Sequence, residues 1–270
     1  MFQDIAPHIY HNEYNPRPAK SSDFVIFCKD REVCLRETAE GAVFPTVGEL
    51  PDGRLQYLFS VDEHAFYLWQ SPLPDGLNWL PVQRFRTLQP GWAGFAAITA
   101  HRLWLWYGQN RFCGRCGQPM HHSQTERAMQ CDCGHIVYPT ISPSVIVGVT
   151  DGDRLLLTRY ANSHSTYRHY ALVAGYTEIG ETLEDTVRRE VMEETGLQVK
   201  DVRFYKSQPW PFSGAILAGF YCTLEGSDAI TLDENELSDA VWLHRRELEP
   251  REDTASLTSE MIEQFRLGNQ

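Results

Sequence analysis

The sequence predicts a mixed α/β protein: a domain of alternating strands and helices, preceded by a small cysteine-bound metal module and a further α+β domain. Three observations carry that prediction. A glutamate-rich helical stretch at 175–197 lies between strand-like runs, four cysteines crowd between positions 113 and 133, and a layout of short apolar runs near the N-terminus recurs before the helix. At 270 residues, 42% hydrophobic and 22% charged, the chain has a soluble globular composition and room for two or more domains. We draw the boundaries at 1–108, 109–139 and 140–270. No run approaches about eighteen uninterrupted apolar residues, and Met1-Phe2-Gln3-Asp4 lacks the basic, then apolar start of a secretory signal. A cytoplasmic protein with no membrane partner is therefore expected. The net charge of −12 argues against nonspecific duplex binding, which needs Lys and Arg to neutralise phosphates. A pyrophosphate remains accessible to an acidic protein, because a bound metal inverts the local sign.

In the first hundred residues FVIFCKD, a turn, REVCLRE and then FPTVGEL form a hairpin-like pattern. It recurs as VIVGVTDGD, RLLLTRY and ALVAGYTE, so a duplicated fold is expected. PDGRLQYLF stands where a glutamate helix would follow in the first copy, which makes that copy catalytically dead. Its expected jobs are dimerisation or framing the substrate pocket, and an unrelated small α+β domain is the alternative. WAGFAAITAHRLWLWY, Trp92 to Tyr107, is apolar without proline and predicts a buried helix. Core packing is the expected role of its tryptophans, rather than base stacking.

Cys113-Gly-Arg-Cys116-Gly has the form of a zinc knuckle, with glycine after the second thiolate to let the backbone turn under the metal. Cys131-Asp132-Cys133-Gly134 has one intervening residue instead of two. Four thiolates on one structural zinc are expected, with His121, His122 or His135 replacing one cysteine as the alternative. Cys28, Cys34 and Cys222 lie in apolar stretches and read as small buried side chains.

Pro139 and Pro143 bracket the entry to the last domain, where VIVGVT and RLLLTRY flank the turn Asp151-Gly152-Asp153. His164, Arg168 and His169 follow in a polar segment and read as phosphate contacts or as loop polarity. In GYTEIGETLEDTVRREVMEETGL, Thr182 is the expected N-cap with Asp185 three residues on, and Gly196 the stop. Leu183, Val187 and Val191 make the buried stripe. Glu190, Glu193 and Glu194 share one face, and Glu194 continues the stripe. Three close glutamates on an arbitrary helix are usually solvated. On the shoulder of a buried stripe they repel one another and lose hydration, so a hard divalent cation is expected. Beyond the helix, VRFYKSQPWPFSGAILAGFYCTL reads as strand, proline-locked loop, strand, and TASLTSEMIEQFRLG has helical spacing. On composition alone Glu236 is one acid among four in an exposed loop.

The stretch 175–197 resembles the Nudix box: Gly175, Glu181, Arg189, Glu190, Val191, Glu193, Glu194, Gly196 and Leu197 occupy its fixed positions. That resemblance implies an α/β/α Nudix sandwich and hydrolysis of a nucleoside diphosphate linked to another moiety. It further implies Mg²⁺ or Mn²⁺ held by the helix glutamates, with Arg189 orienting them. Ser207-Gln208-Pro209-Trp210-Pro211-Phe212 resembles the signature of the NADH pyrophosphatase family of Nudix hydrolases, which also carries a zinc ribbon before the box and a degenerate Nudix-like N-terminal domain. The resemblance implies cleavage of NADH or NAD to AMP and nicotinamide mononucleotide, removal of NAD caps from RNA 5′ ends, and a homodimer. By the same resemblance Glu190, Glu194 and Glu236 hold the metal, and Glu193 is the base or a further metal ligand. Substrate contacts fall on Tyr138, Ala174, Tyr176, Gln208, Pro209, Trp210, Pro211, Phe212 and Ser213, with Tyr138, Tyr176 and Trp210 around the flat rings. Ser213 and Ala215 depart from the family's proline and serine, which puts selectivity for the nicotinamide half in question. A broader hydrolase of ADP-ribose and related compounds is the second reading, and a non-catalytic nucleic-acid-binding module the third.

Overall fold

Short strands with apolar residues on one side build the first of two compact units, Phe2–Thr140, in the computed structural model; Ile141–Gln270 with Met1 forms the second. Residues 1–38, 41–161, 170–251 and 255–270 are described. His164, Arg168 and His169 lie outside them.

The first unit begins with β1 (Tyr10–His11), β2 (Phe24–Ile26), β3 (Cys28–Lys29), β4 (Glu32–Cys34), β5 (Arg36–Thr38) and β6 (Gly41–Val43). There follow β7 (Leu55–Val61), β8 (His64–Trp69), β9 (Trp79–Pro81) and the helix α1 (Gly91–Gln109). The main sheet runs β1-β7-β8-β2, and β3-β4-β9 and β5-β6 form smaller ones. Phe27, Phe44, Phe59 and Phe66 are fully buried. Ala93, Ala96, Ala97 and Ala100 of α1 are also fully buried, small side chains that admit close approach of the helix backbone. The helix ends at Asn110, whose amide donates to the Trp106 carbonyl at 2.7 Å.

The ribbon follows in the same unit, with β10 (His121–His122), β11 (Met129–Gln130) and β12 (Ile136–Val137) as an antiparallel sheet. Gly117 and Gly134, each after the second cysteine of its pair, have φ of 74° and 84°, the left-handed turn for which glycine pays no steric penalty. Arg127 ties the ribbon to the preceding strands: it donates to Asn12 Oδ1 at 2.9 Å and to the Leu58 carbonyl, and its guanidinium lies over the Tyr14 ring.

The second unit is an α/β/α sandwich. Its strands are β13 (Ser142–Asp151), β14 (Arg154–Tyr160), β15 (Val173–Tyr176), β16 (Gln198–Trp210), β17 (Ala215–Glu225) and β18 (Leu237–His244). Its helices are α2 (Leu183–Thr195) and α3 (Leu257–Leu267). The sheet order is β16-β17-β13-β14-β18, with β15 on β13. Side chains alternate across it with period two. Val145, Val147, Val149 and Leu156 meet Val187 and Val191 of α2 on one face. Ile146, Leu155 and Leu157 meet Met261, Ile262 and Phe265 of α3 on the other.

The two units repeat one connectivity. β2 runs parallel to β8, which pairs antiparallel with β7, as β13 runs parallel to β17, which pairs antiparallel with β16. β4 pairs with β9 as β14 pairs with β18, and each pairing leads through a short 3₁₀ turn into a helix, α1 or α3. Between β6 and β7 there is a single 3₁₀ turn, Val47–Glu49, where the second unit has α2. The first unit thus repeats the strand pairing of the second and lacks the helix that bears the acids.

One local expectation is corrected. Pro209 and Trp210 do not sit in a loop: β16 continues through them, in register with Ile216 and Ala215, and the turn falls at 211–214. The proline is accommodated because β16 is the outermost strand, where a missing N–H leaves no neighbour unpaired.

Candidate active site

α2 begins and ends on its own caps: Thr182 Oγ1 accepts from the Asp185 amide at 3.1 Å, and Gly196 closes the helix at φ 70°. Val187 and Val191 are fully buried, and the carboxylates flank them as the helical spacing requires. Glu194 is 3% exposed and Glu190 8%, whereas the Glu193 side chain is 59% exposed.

Arg189 organises this acidic face. Its Nε and Nη2 donate to the two oxygens of Glu181 at 2.6 and 2.9 Å, its Nη1 to Glu190 at 2.7 Å and Glu193 at 2.9 Å, and Nη2 also to the Tyr176 carbonyl at 2.9 Å. All five guanidinium N–H groups are thus matched. Glu181, which the sequence offered only as a fixed motif position, is the anchor of that clamp. It also accepts from Thr186 Oγ1 and the Glu178 amide, each at 3.0 Å. Arg189 above all, then the Glu178 amide, holds the Glu181 carboxyl down at about 2.

Glu194 has the opposite environment. Burial, then the charges of Glu190 and Glu236, push its carboxyl up to about 8, against a bond from the Ala174 backbone N–H. Its Oε1 is buried without a hydrogen-bond partner. Burial also raises Glu190, with Arg189 opposing. Tyr160, at the end of β14, is raised by burial and then by the charges of Glu194, Glu236 and Glu190; sequence reasoning missed it for want of a motif. Glu236 lies in the exposed turn before β18, and its carbonyl accepts from the Ala161 amide at 2.8 Å. Three mutually repelling carboxylates with an orphaned buried oxygen suit a hard divalent cation.

Of the expected substrate contacts, Ala174 and Tyr176 lie on β15, with Tyr176 exposed. Pro209, Pro211 and Ser213 line the end of β16 and its turn, and the Trp210 and Phe212 rings pair there at 5.0 Å. Tyr138 belongs to the first unit, exposed beside the ribbon, with its hydroxyl donating to Glu126 at 3.2 Å. Gln208 is fully buried; its Nε2 donates to the Ala255 carbonyl at 2.8 Å and its Oε1 accepts from the Leu257 amide at 2.7 Å, so it fastens the start of α3 to β16.

In the ribbon Cys113, Cys116, Cys131 and Cys133 have their sulfurs within 4.8 Å of one another, the only cluster of potential metal ligands at that spacing among the described residues. Cys113 and Cys133 Sγ are 3.7 Å apart, Cys116 and Cys131 Sγ 3.5 Å. A tetrahedron with Zn–S near 2.3 Å has edges of about 3.8 Å, and a disulfide would need about 2.05 Å. The four thiolates fit structural zinc, and no histidine joins them.

Residues 140–265 match the NUDIX domain and 109–138 the NADH pyrophosphatase zinc ribbon domain. The chain is 38% identical over 214 residues to the NAD-capped RNA hydrolase NudC of Salmonella paratyphi C, across 74% of this chain and 80% of that protein. The chain belongs to the zinc-ribbon NADH pyrophosphatase family of Nudix hydrolases. NudC of Stutzerimonas stutzeri, another relative within that assignment, is 36% identical over 82% of this chain and 81% of its own length. A Nudix hydrolase crystal structure from Nitrosomonas europaea shares the fold, with a TM-score of 0.50 and 21% identity, over 58% of this chain and 90% of that one. This Nudix hydrolase has the fold, the box and the ribbon of its family.

Proposed function

We propose that the protein cleaves the pyrophosphate of NADH and NAD, giving AMP and nicotinamide mononucleotide, and removes NAD caps from RNA 5′ ends. The observation that carries this reading is the Arg189 clamp beside Glu190, Glu194 and Glu236, in a chain similar over most of its length to NAD-capped RNA hydrolases. Glu190, Glu194 and Glu236 would hold Mg²⁺ or Mn²⁺, which supplies charge neutralisation of the pyrophosphate and a more acidic water. Glu193, exposed and fixed through one oxygen by Arg189, accepts the proton of the attacking water. Water adds at one phosphorus, the P–O–P bridge breaks, and the bridging oxygen leaves with the other phosphate, so both products are monophosphates. Tyr176 and the Trp210–Phe212 pair offer faces to the flat rings. We place the enzyme in the cytoplasm as a homodimer.

A second reading, preference for ADP-ribose, draws on the departures after Phe212. Ala215 is buried, so only the exposed Ser213 is open to contact. Chromatography of products after incubation with Mn²⁺ and NADH, NAD, ADP-ribose or NAD-capped RNA tests both. AMP and nicotinamide mononucleotide, or 5′-monophosphate RNA, are expected; faster turnover of ADP-ribose would replace the first reading by the second.

A further inference from the structure

The first unit contains a cavity of about 550 Å³ that the proposed chemistry does not use. One wall is a face of α1: Trp104, Tyr107 and Gly108, continued by Arg111, follow helical spacing. The other wall comes from β8 and the ribbon, with Gln70, His122 and Phe112. Its volume falls within the range of small-molecule sites.

Three features suit it to a flat, electron-rich ring attached to phosphate. Phe112 is 61% exposed immediately before the zinc ligand Cys113, and the knuckle fixes it there: the Cys113 amide donates to the Gln118 carbonyl at 2.8 Å and the Met120 amide to the Arg111 carbonyl at 3.0 Å. An exposed aromatic on a rigid ladder is preorganised for stacking. Arg111 is the one charged side chain lining the cavity; no carboxylate lines it, and among the described residues Arg111 makes no ion pair. In a chain of net charge −12, an unpaired guanidinium beside aromatic rings favours an anion with a π-face. Finally, Gln70 is exposed, and its Nε2, 3.3 Å from His122 Nε2, sets a side-chain amide at the rim.

We propose that this cavity binds an unpaired nucleobase with its phosphate, and that its occupant is a single-stranded RNA. Trp104 and Phe112 supply stacking surface, Gln70 contacts a base edge, and Arg111 meets the phosphate. The occupant rests on the decapping reading above; the base-binding chemistry does not.

Gly108 gives a direct test. A Cβ there meets nothing within 4 Å, so Gly108→Leu fills the cavity without deleting any group, at a helix position where leucine is favoured over glycine. Anisotropy is measured for the zinc-loaded full chain with an uncapped, 5′-hydroxyl, unstructured RNA of about 12 nucleotides, within the span of known single-strand sites. Gly108→Leu is expected to abolish binding, and Phe112→Ala to weaken it about tenfold, the order of one lost base stack. Arg111→Gln should weaken it and lower the salt slope by about one. NADH turnover should stay within twofold of wild type in all three.

RNA affinity within twofold of wild type in both Gly108→Leu and Phe112→Ala would overturn the proposal, as would a parallel loss of NADH turnover. AMP binding that Gly108→Leu abolishes, with RNA binding unchanged, would assign the cavity to free nucleotides and sink the RNA occupant. The probe carries no cap, so it reports on the cavity even where capped RNA proves not to be a substrate.

Discussion

The carboxylate of Glu190 occupies the space above Gly175 where any other residue would carry its Cβ: that atom would lie 1.9 Å from Glu190 Cδ. The glycine that opens the box is thus a cradle for an acid fifteen positions later, on a different element. Gly175→Ala is expected to displace Glu190, lowering kcat/KM for NADH by about a hundredfold, the scale of a misplacement near 1 Å. Circular dichroism of the variant should stay that of wild type; unchanged kinetics would contradict the cradle.

Glu194 makes the metal-free protein pH-sensitive. Its carboxyl keeps a proton up to about 8 when folded, against an ordinary value of 4.5, so the unfolded chain releases that proton first. Stability without divalent cation therefore falls as pH rises from about 4.5 to 8, by up to a few kcal/mol. Glu194→Gln should flatten this decline and raise Tm at pH 8, and saturating Mg²⁺ should do the same for wild type. Thermal melts of both proteins between pH 5 and 8.5 check it.

Arg189→Lys keeps the charge but cannot serve three carboxylates and a carbonyl from one ammonium. A loss of kcat of about 10²-fold is expected, on the scale of a misplaced site. Glu181 has the opposite linkage to Glu194: its folded value of about 2 lies below the ordinary 4.5, so its contribution is present above pH 4.5 and disappears as pH falls toward 2. Glu181→Gln should show a smaller acid-induced loss of stability than wild type.

Gln208→Leu leaves the Ala255 carbonyl and the Leu257 amide without their partner, and should cost about 2–3 kcal/mol. KM for NADH should not change. A raised KM at undiminished Tm would restore Gln208 to the substrate site.

Cys116→Ser should lower zinc to well below one per chain and reduce the Tm of the first unit, because four thiolates supply its local order. Elemental analysis and calorimetry read the two effects.

What was legible in the sequence was whatever short-range spacing controls. The helix from Leu183 to Thr195, its caps and the burial of Glu190 and Glu194 follow from a 3.6-residue period, and the four-sulfur cluster from paired cysteines with trailing glycines. The repeated connectivity was visible as an echo of apolar runs. What distance along the chain conceals was not legible. Tyr160 is set opposite Leu237, next to Glu236, only because β14 pairs with β18, and Gln208 turns inward only because α3 docks on the sheet. Nor does a local proline rule distinguish a loop from the rim of a sheet, as Pro209 shows.

That rim bears on how the sheet meets other chains. β16 is thirteen residues long and outermost, the kind of free strand on which another chain can add. Its pairing is interrupted by register shifts between Lys200 and Arg203 and between Phe204 and Lys206, and Asp201 has φ 50°. Exposed Lys200, Asp201, Arg203 and Lys206 add charge along the strand, and Pro209 removes a donor near its end. Kinks, charges and a proline together deny an incoming strand a continuous template, so the residues that shape β16 also guard the sheet against edge-to-edge aggregation.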